Sequence, residues 1–164
     1  MKKRVLPLLA GIWPYLLVCV FLYIRLIAPA ADAPVSPVPV FIVFCILLLA
    51  PVLALVCLLW GLKAQTSDPA LLAKWSLAVK LAHIPFYLLI FVLYMILPVI
   101  GVFLFVFDAM ALLVSSGFGI AAVLRARKEN HISTGWAIAL GIAHCFFVTD
   151  VIGAFLLWRK IKQA

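Results

Sequence analysis

With 164 residues, 69% apolar content and only 11% charged residues, the chain lies outside the composition range of a soluble domain. A net charge of +8 would suggest a nucleic-acid partner for a soluble protein. Here the lysines and arginines stand at the ends of apolar runs, where they orient membrane spans and meet anionic headgroups. We therefore predict an all-α, polytopic transmembrane helical bundle with the lipid bilayer as partner and no nucleic acid.

The first apolar run, residues 5–27, follows the basic start MKKR and precedes APA, a pattern similar to a secretory signal peptide. The run is longer than a signal core of about 7 to 15 residues, and Arg25 near its far end is typical of an anchored span. We expect a retained first span. Pro14 should bend it, because its missing N–H leaves the Ala10 carbonyl unpaired.

Two further spans follow a Pro-rich segment, 28–39, which we interpret as a loop. The second predicted span is 40–60 and the third is 72–97. The helix of the third span starts near the sequence SDP, which is typical of a capping side chain followed by a first-turn proline. We expect its first turns, with Lys74 and Lys80, to lie in the headgroup layer.

His83 lies beside Pro85 within the third span, where the proline frees a backbone carbonyl. A functional interpretation is a protonatable group at a kink. The structural alternative is a histidine that bonds to backbone or water, and the pattern favours it.

The fourth predicted span, 101–124, carries one carboxylate and ends in a basic cluster. On a helix, Asp108, Ser115 and Gly119 fall within about 20° of one line. Such a line of small and polar side chains suits a helix–helix contact in lipid. We predict that it faces the next span.

The fifth predicted span, 135–158, carries His144 and Asp150 together with a line of alanines. Because the loop before it is short, spans four and five should be antiparallel neighbours. We predict that Ser115 and Gly119 face Ala139 or Ala143.

The distribution of basic residues predicts a cytoplasmic N-terminus in the cell membrane. With five spans, nine of the 13 lysines and arginines lie inside, and the four outside are Arg25, Arg159, Lys160 and Lys162. The three bases near the C-terminus break the positive-inside rule in this arrangement. The alternative is that the last segment does not fully cross.

Carboxylates within membrane spans are rare and usually face a bundle interior or a cavity. We predict that Asp108 and Asp150 converge in one polar site, with Arg25 as counter-charge and Ser115 and His144 beside them. In the alternative, each carboxylate bonds separately to local side chains or backbone.

The sequence predicts neither a metal site nor a cofactor. The four cysteines fall singly inside apolar runs without the clustered spacing that metal or redox sites need. The one nucleophile–base candidate, Ser115-Ser116-Gly117 with His144, is more typical of close helix packing than of catalysis. We therefore predict a non-enzymatic protein without catalytic residues.

The stretches HIPFY, SSGFGIAAVLRARKENHIS and HCFFVTDVIGA resemble a group of small, uncharacterised bacterial polytopic membrane proteins. The resemblance covers the C-terminal half, implies the bacterial cytoplasmic membrane and carries no known activity. We predict a non-catalytic accessory or regulatory component, partnered by a second copy or by a membrane complex. The alternative is a small proton- or cation-coupled transporter or channel subunit that uses Asp108 and Asp150.

Overall fold

The computed structural model describes residues 5–27, 37–63, 68–96, 101–144 and 146–163. The regular elements in these ranges are α1 (Val5–Ile27), α2 (Pro37–Leu62), α3 (Pro69–Ile96), α4 (Gly101–Lys128), α5 (Thr134–Ala143) and α6 (Phe147–Gln163). The predicted all-α bundle is confirmed. Helices α1 to α4 are long and apolar enough to cross a membrane, and they correspond to the first four predicted spans.

The helix starts follow local chemistry. The α3 helix begins at Pro69, and the Asp68 carboxylate accepts a hydrogen bond from the backbone N–H of Ala70 at 3.1 Å. The α2 helix begins at Pro37, three residues before the predicted start, because the fixed φ of proline suits a first helical turn. Most of the predicted Pro-rich loop and the last predicted residue of span three lie outside the described residues.

Helix α4 is the centre of the bundle and packs against each of the other five helices. Half of its most apolar stretch is buried, against 28% or less in α1, α2 and α3. Glycine allows its close approach to α2, because a Cβ at Gly117 would lie 2.7 Å from the Ala54 carbonyl oxygen.

The Ala10 carbonyl, which Pro14 leaves without its helical N–H, accepts a hydrogen bond from a side chain. His83 Nε2 lies 2.9 Å from the Ala10 carbonyl oxygen, and because that oxygen only accepts, Nε2 carries the proton. The His83 side chain is fully buried. His83 therefore bonds to the backbone, as the structural alternative in the sequence analysis predicts.

Helix α1 makes two further side-chain bonds to carbonyls that shortly precede the prolines of α2 and α3. Trp13 Nε1 donates to the Ile46 carbonyl at 3.1 Å, and the Tyr15 hydroxyl donates to the Ala82 carbonyl. The three proline-interrupted helices are thus joined one residue away from the carbonyls of Leu47 and Leu81, which Pro51 and Pro85 free.

The predicted fifth span is wrong as a single helix. Helix α5 ends at Ala143 and α6 runs back beside it, since Lys160 Nζ near the end of α6 lies 4.1 Å from the ring centroid of Trp136 near the start of α5. The reversal is stabilised because the Ala143 carbonyl at the α5 terminus accepts hydrogen bonds from the Thr149 hydroxyl at 2.9 Å and from the Phe146 N–H at 3.4 Å. We call this unit the α5–α6 hairpin.

The start of α1, the end of α2, the start of α3 and the end of α4 lie at the same end of the bundle. Pro7 shares a cavity wall with Trp75, and Leu22 shares another with Leu93, so α1 and α3 run parallel. The end of α2 meets the start of α3 and the second half of α4, because Gly61 faces both Leu72 and Ala121.

We call this set of ends the basic end of the bundle. The described bases there are Lys63, Lys74, Arg125, Arg127, Lys128, Arg159, Lys160 and Lys162. The hairpin therefore starts and finishes at the basic end, and the predicted location of the last three bases at the opposite side is wrong. The reason is the reversal at the tip of the hairpin, which returns α6 to the side from which α5 departs.

Candidate polar site at the tip of the hairpin

Lys80 lies deep in the bundle and not in the headgroup layer that the sequence predicts. It stands about 17 Å along α3 from Pro69, at a rise of about 1.5 Å per residue, and so near the middle of this 28-residue helix. Its side chain is completely buried. Ser76 and His83, one helical turn away on either side, are buried too, so Lys80 belongs to the inward face of α3.

The ammonium of Lys80 forms a hydrogen-bonded ion pair with Asp150, and each of the two side chains is only 1% exposed. Asp150 stands in the first turn of α6, where the helix dipole favours a negative charge. Among the described residues, the counter-charge of Asp150 is therefore Lys80. The side chain of Arg25, the predicted counter-charge, lies outside the described residues.

His144, the C-cap of α5, completes the cluster. Its Nδ1 lies 2.8 Å from Asp150 Oδ1 and 3.2 Å from Lys80 Nζ. Because a carboxylate oxygen only accepts hydrogen bonds, Nδ1 carries the proton in this contact. The Ser116 hydroxyl also donates to the His144 carbonyl at 2.9 Å, which attaches the end of α5 to α4.

Ser115 on α4 faces the second carboxylate oxygen. Its hydroxyl oxygen lies 3.3 Å from Asp150 Oδ2 and 2.9 Å from the Leu112 carbonyl, and its single proton serves one of these acceptors at a time. The structure thus brings together three of the five predicted site residues, namely Asp150, His144 and Ser115. Helices α3, α4, α5 and α6 all contribute to the cluster.

Asp108 does not share this cluster. It precedes Ser115 by two helical turns, about 10 Å along α4, and no hydrogen bond or ion pair within the described ranges joins it to Asp150. Its Oδ1 is buried without a hydrogen-bond partner among those residues. Among the described residues the two carboxylates make no direct contact, because the hairpin turns back at the level of Ser115, two helical turns from Asp108.

Gly119 accommodates the histidine ring. A Cβ at this position would lie 2.7 Å from His144 Nε2 and 3.0 Å from the Ser76 hydroxyl. The predicted contact of Gly119 with alanines of α5 is wrong, because the turn after Ala143 directs His144 at α4. Ala143 packs instead on Gly153, whose added Cβ would stand 3.1 Å away.

Lys80 is the site residue that sequence reasoning missed. A lysine in an apolar helix is usually assigned to the interface, since its long side chain can reach the headgroups. The signal that could have identified it is its spacing, because Ser76, Lys80 and His83 repeat at helical intervals and share one face.

The charges of the cluster favour attachment of the hairpin tip to α3 and α4. Lys80 and Asp150 neutralise each other within the protein, so burial leaves no net charge in the bundle interior. His144 and Ser115 supply further hydrogen bonds to the same carboxylate. The arrangement ties the hairpin tip to α3 and α4 at about the middle of the bundle.

Four membrane-length helices, with an ion-paired helical hairpin packed against α3 and α4, define this chain as a helical membrane protein. The chain belongs to the family of unknown function DUF6652, whose model matches residues 3–163. No curated protein and no solved structure match the chain.

Proposed function

We propose that this protein is a non-catalytic, multi-pass component of the bacterial cytoplasmic membrane with an accessory or regulatory role. The observation that carries the proposal is the closed state of the hairpin-tip cluster. Lys80, His144 and Asp150 are each at most 1% exposed, and Lys80 and His144 both donate to the Asp150 carboxylate. A cluster of this kind stabilises a fold, since none of its groups is presented to a substrate.

The orientation belongs to the same proposal. Eight described bases lie at the basic end of the bundle, and the positive-inside rule assigns such an end to the cytoplasm. In this orientation α5 and α6 form a re-entrant hairpin, and the end of α6 is cytoplasmic. At its tip the polar side chains of His144 and Asp150 are buried in protein, whereas the apolar Phe146 and Val148 are exposed on the surface of the bundle.

A second candidate function is proton- or cation-coupled transport. It is favoured by the unpartnered Oδ1 of Asp108, which lies on the same helix as Ser115, two turns farther from the basic end. Together with Asp150 and Lys80, these residues form an interrupted row of polar groups through the middle of the bundle. Intramembrane ionisable groups of this kind mark proton or ion paths in transporters.

Flux measurements on the purified full chain in sealed vesicles separate the two candidates. We expect that proton, sodium and potassium fluxes equal those of protein-free vesicles, and that D108N and D150N leave them unchanged. E129Q is the matched control, because Glu129 is an exposed acid at the basic end. A flux that is present in the wild type and in E129Q but lost in D108N, with circular dichroism that shows a folded variant, would establish transport instead.

A further inference from the structure

A cavity of about 410 Å³ opens between the start of α5 and the end of α6, at the basic end of the bundle. Its lining residues are His131, Trp136, Leu156, Arg159, Lys160 and Gln163. Because four of these side chains are polar or cationic and two are apolar, the cavity has two different walls. It lies at the open end of the hairpin, away from the buried cluster at the tip.

The cationic wall of the cavity, formed by Arg159 and Lys160, lacks acidic partners among the described residues. The nearby acid, Glu129, is occupied by Arg125 at 3.0 Å and by His131 at 3.6 Å. Within the described part of the chain, Arg159 and Lys160 have no acidic partner. Two positive charges therefore face the cavity without an acidic partner among the described residues.

The cavity keeps its shape through contacts that leave these charges available. Lys160 Nζ packs over the Trp136 ring at 4.1 Å from the centroid, which holds the ammonium beside the cavity. At the start of α5, two residues before Trp136, the Thr134 hydroxyl accepts a hydrogen bond from Arg127 Nε at 2.8 Å. Because that acceptor is neutral, the Arg127 charge adds to the positive potential there.

The apolar wall is partly exposed on the outer surface of the bundle. Trp136 is 42% exposed and Leu156 is 40% exposed. Trp136 stands in the first turn of α5, and tryptophan favours the boundary between headgroups and acyl chains. The cavity thus places an apolar surface beside two cations at the depth of the headgroup layer.

We propose that this cavity binds the phosphate group of an anionic phospholipid, with Arg159 and Lys160 on the phosphate oxygens and Leu156 against the lipid chain. Guanidinium and ammonium groups are the usual phosphate ligands in proteins. Free phosphate offers the same oxygens but no chain for Leu156. The inference goes beyond the proposed function, since an accessory subunit and a transporter could both carry such a site.

Native mass spectrometry of the full chain in detergent, titrated with phosphatidylglycerol, tests the proposal. We expect R159Q/K160Q to weaken lipid retention by roughly thirtyfold, the effect expected of two bases near an anionic surface. K74Q/K128Q is the matched control, because it removes two exposed bases from the same end without touching the cavity. Its retention should stay within about threefold of wild type.

Two further arms identify the source of the phosphate. Phosphatidylcholine, titrated in the same way, should be retained far less than phosphatidylglycerol. Competition with inorganic phosphate should displace the lipid only weakly, because it lacks the apolar contact. Displacement at equimolar phosphate, together with loss of phosphate binding in R159Q/K160Q, would keep the phosphate site but overturn the lipid as its ligand.

The fluorescence of Trp136 gives an independent readout. Phosphatidylglycerol should change the tryptophan emission of the wild type, and W136F should remove most of that change. Equal losses of retention in R159Q/K160Q and K74Q/K128Q would show a diffuse surface effect and overturn the site. Unchanged retention in R159Q/K160Q, with circular dichroism that shows a folded protein, would overturn it as well.

Discussion

His83 donates from Nε2 to the carbonyl of Ala10 at 2.9 Å, and this is the carbonyl that Pro14 leaves without its helical N–H. The donor is 73 residues away in the chain. Helix α1 therefore has a carbonyl without a helical partner, and α3 supplies the donor for it. The carbonyl and the histidine N–H are both paired only when the two helices pack together.

This relationship predicts a coupling between His83 and Pro14. H83L should lower the free energy of unfolding by about 1–3 kcal/mol, because it leaves the buried Ala10 carbonyl unpaired. In a P14A background the cost should be smaller, since the N–H of the new alanine can bond to that carbonyl. Unfolding by denaturing detergent, followed by circular dichroism, gives the four values of the cycle. Equal costs of H83L in both backgrounds would contradict the coupling.

The buried ion pair predicts that each single substitution lowers the free energy of unfolding strongly. It also predicts that the double substitution costs less than the sum of the two single ones. K80M and D150N should each cost about 3–5 kcal/mol of unfolding free energy, because each leaves its partner polar and unpaired in the interior. The double variant K80M/D150N should cost clearly less than the sum of the two. E129Q, which removes an exposed pair with Arg125, should cost less than about 1 kcal/mol. Additive losses in the double variant would mean that Lys80 and Asp150 act separately.

Gly119 should not tolerate a side chain. In G119A the new Cβ would meet His144 Nε2 at 2.7 Å, so the ring or the helix must move, at a cost of about 1–3 kcal/mol. G141A is the control, because a Cβ at this glycine of α5 meets nothing within 4 Å. Its alanine should be neutral or slightly stabilising, as expected from helix propensity. Similar thermal unfolding midpoints for the two variants would contradict the close packing of His144.

The hairpin predicts which positions share a side of the membrane. In a cysteine-free background, Q163C and E129C should be protected together from an impermeant maleimide added to intact cells. P37C, at the opposite end of the bundle, should be labelled. Permeabilised cells provide the control, since all three sites should react there. Labelling of Q163C in intact cells together with P37C would show that α6 crosses to the far side.

Several features follow from the sequence alone because they depend on neighbouring residues. The lengths of the first four apolar runs determine four membrane-length helices, since a helix must be about 20 residues long to cross the hydrocarbon core. The Pro14 defect is equally local, because a proline at one position always frees the carbonyl four residues before it. The polarity of Asp150, His144 and Ser115 was likewise sufficient to mark them as candidates for one site.

The course of the last segment was decided only by tertiary structure. Residues 135–158 are apolar except for His144, Thr149 and Asp150, and hydropathy carries no information on whether such a segment continues or turns back. The reversal depends on the ion pair of Asp150 with Lys80, 70 residues apart, which holds the tip of the hairpin in the bundle. The same pairing buries a lysine that its local sequence assigns to the membrane surface, because a buried charge is tolerated only beside a distant partner that the fold supplies.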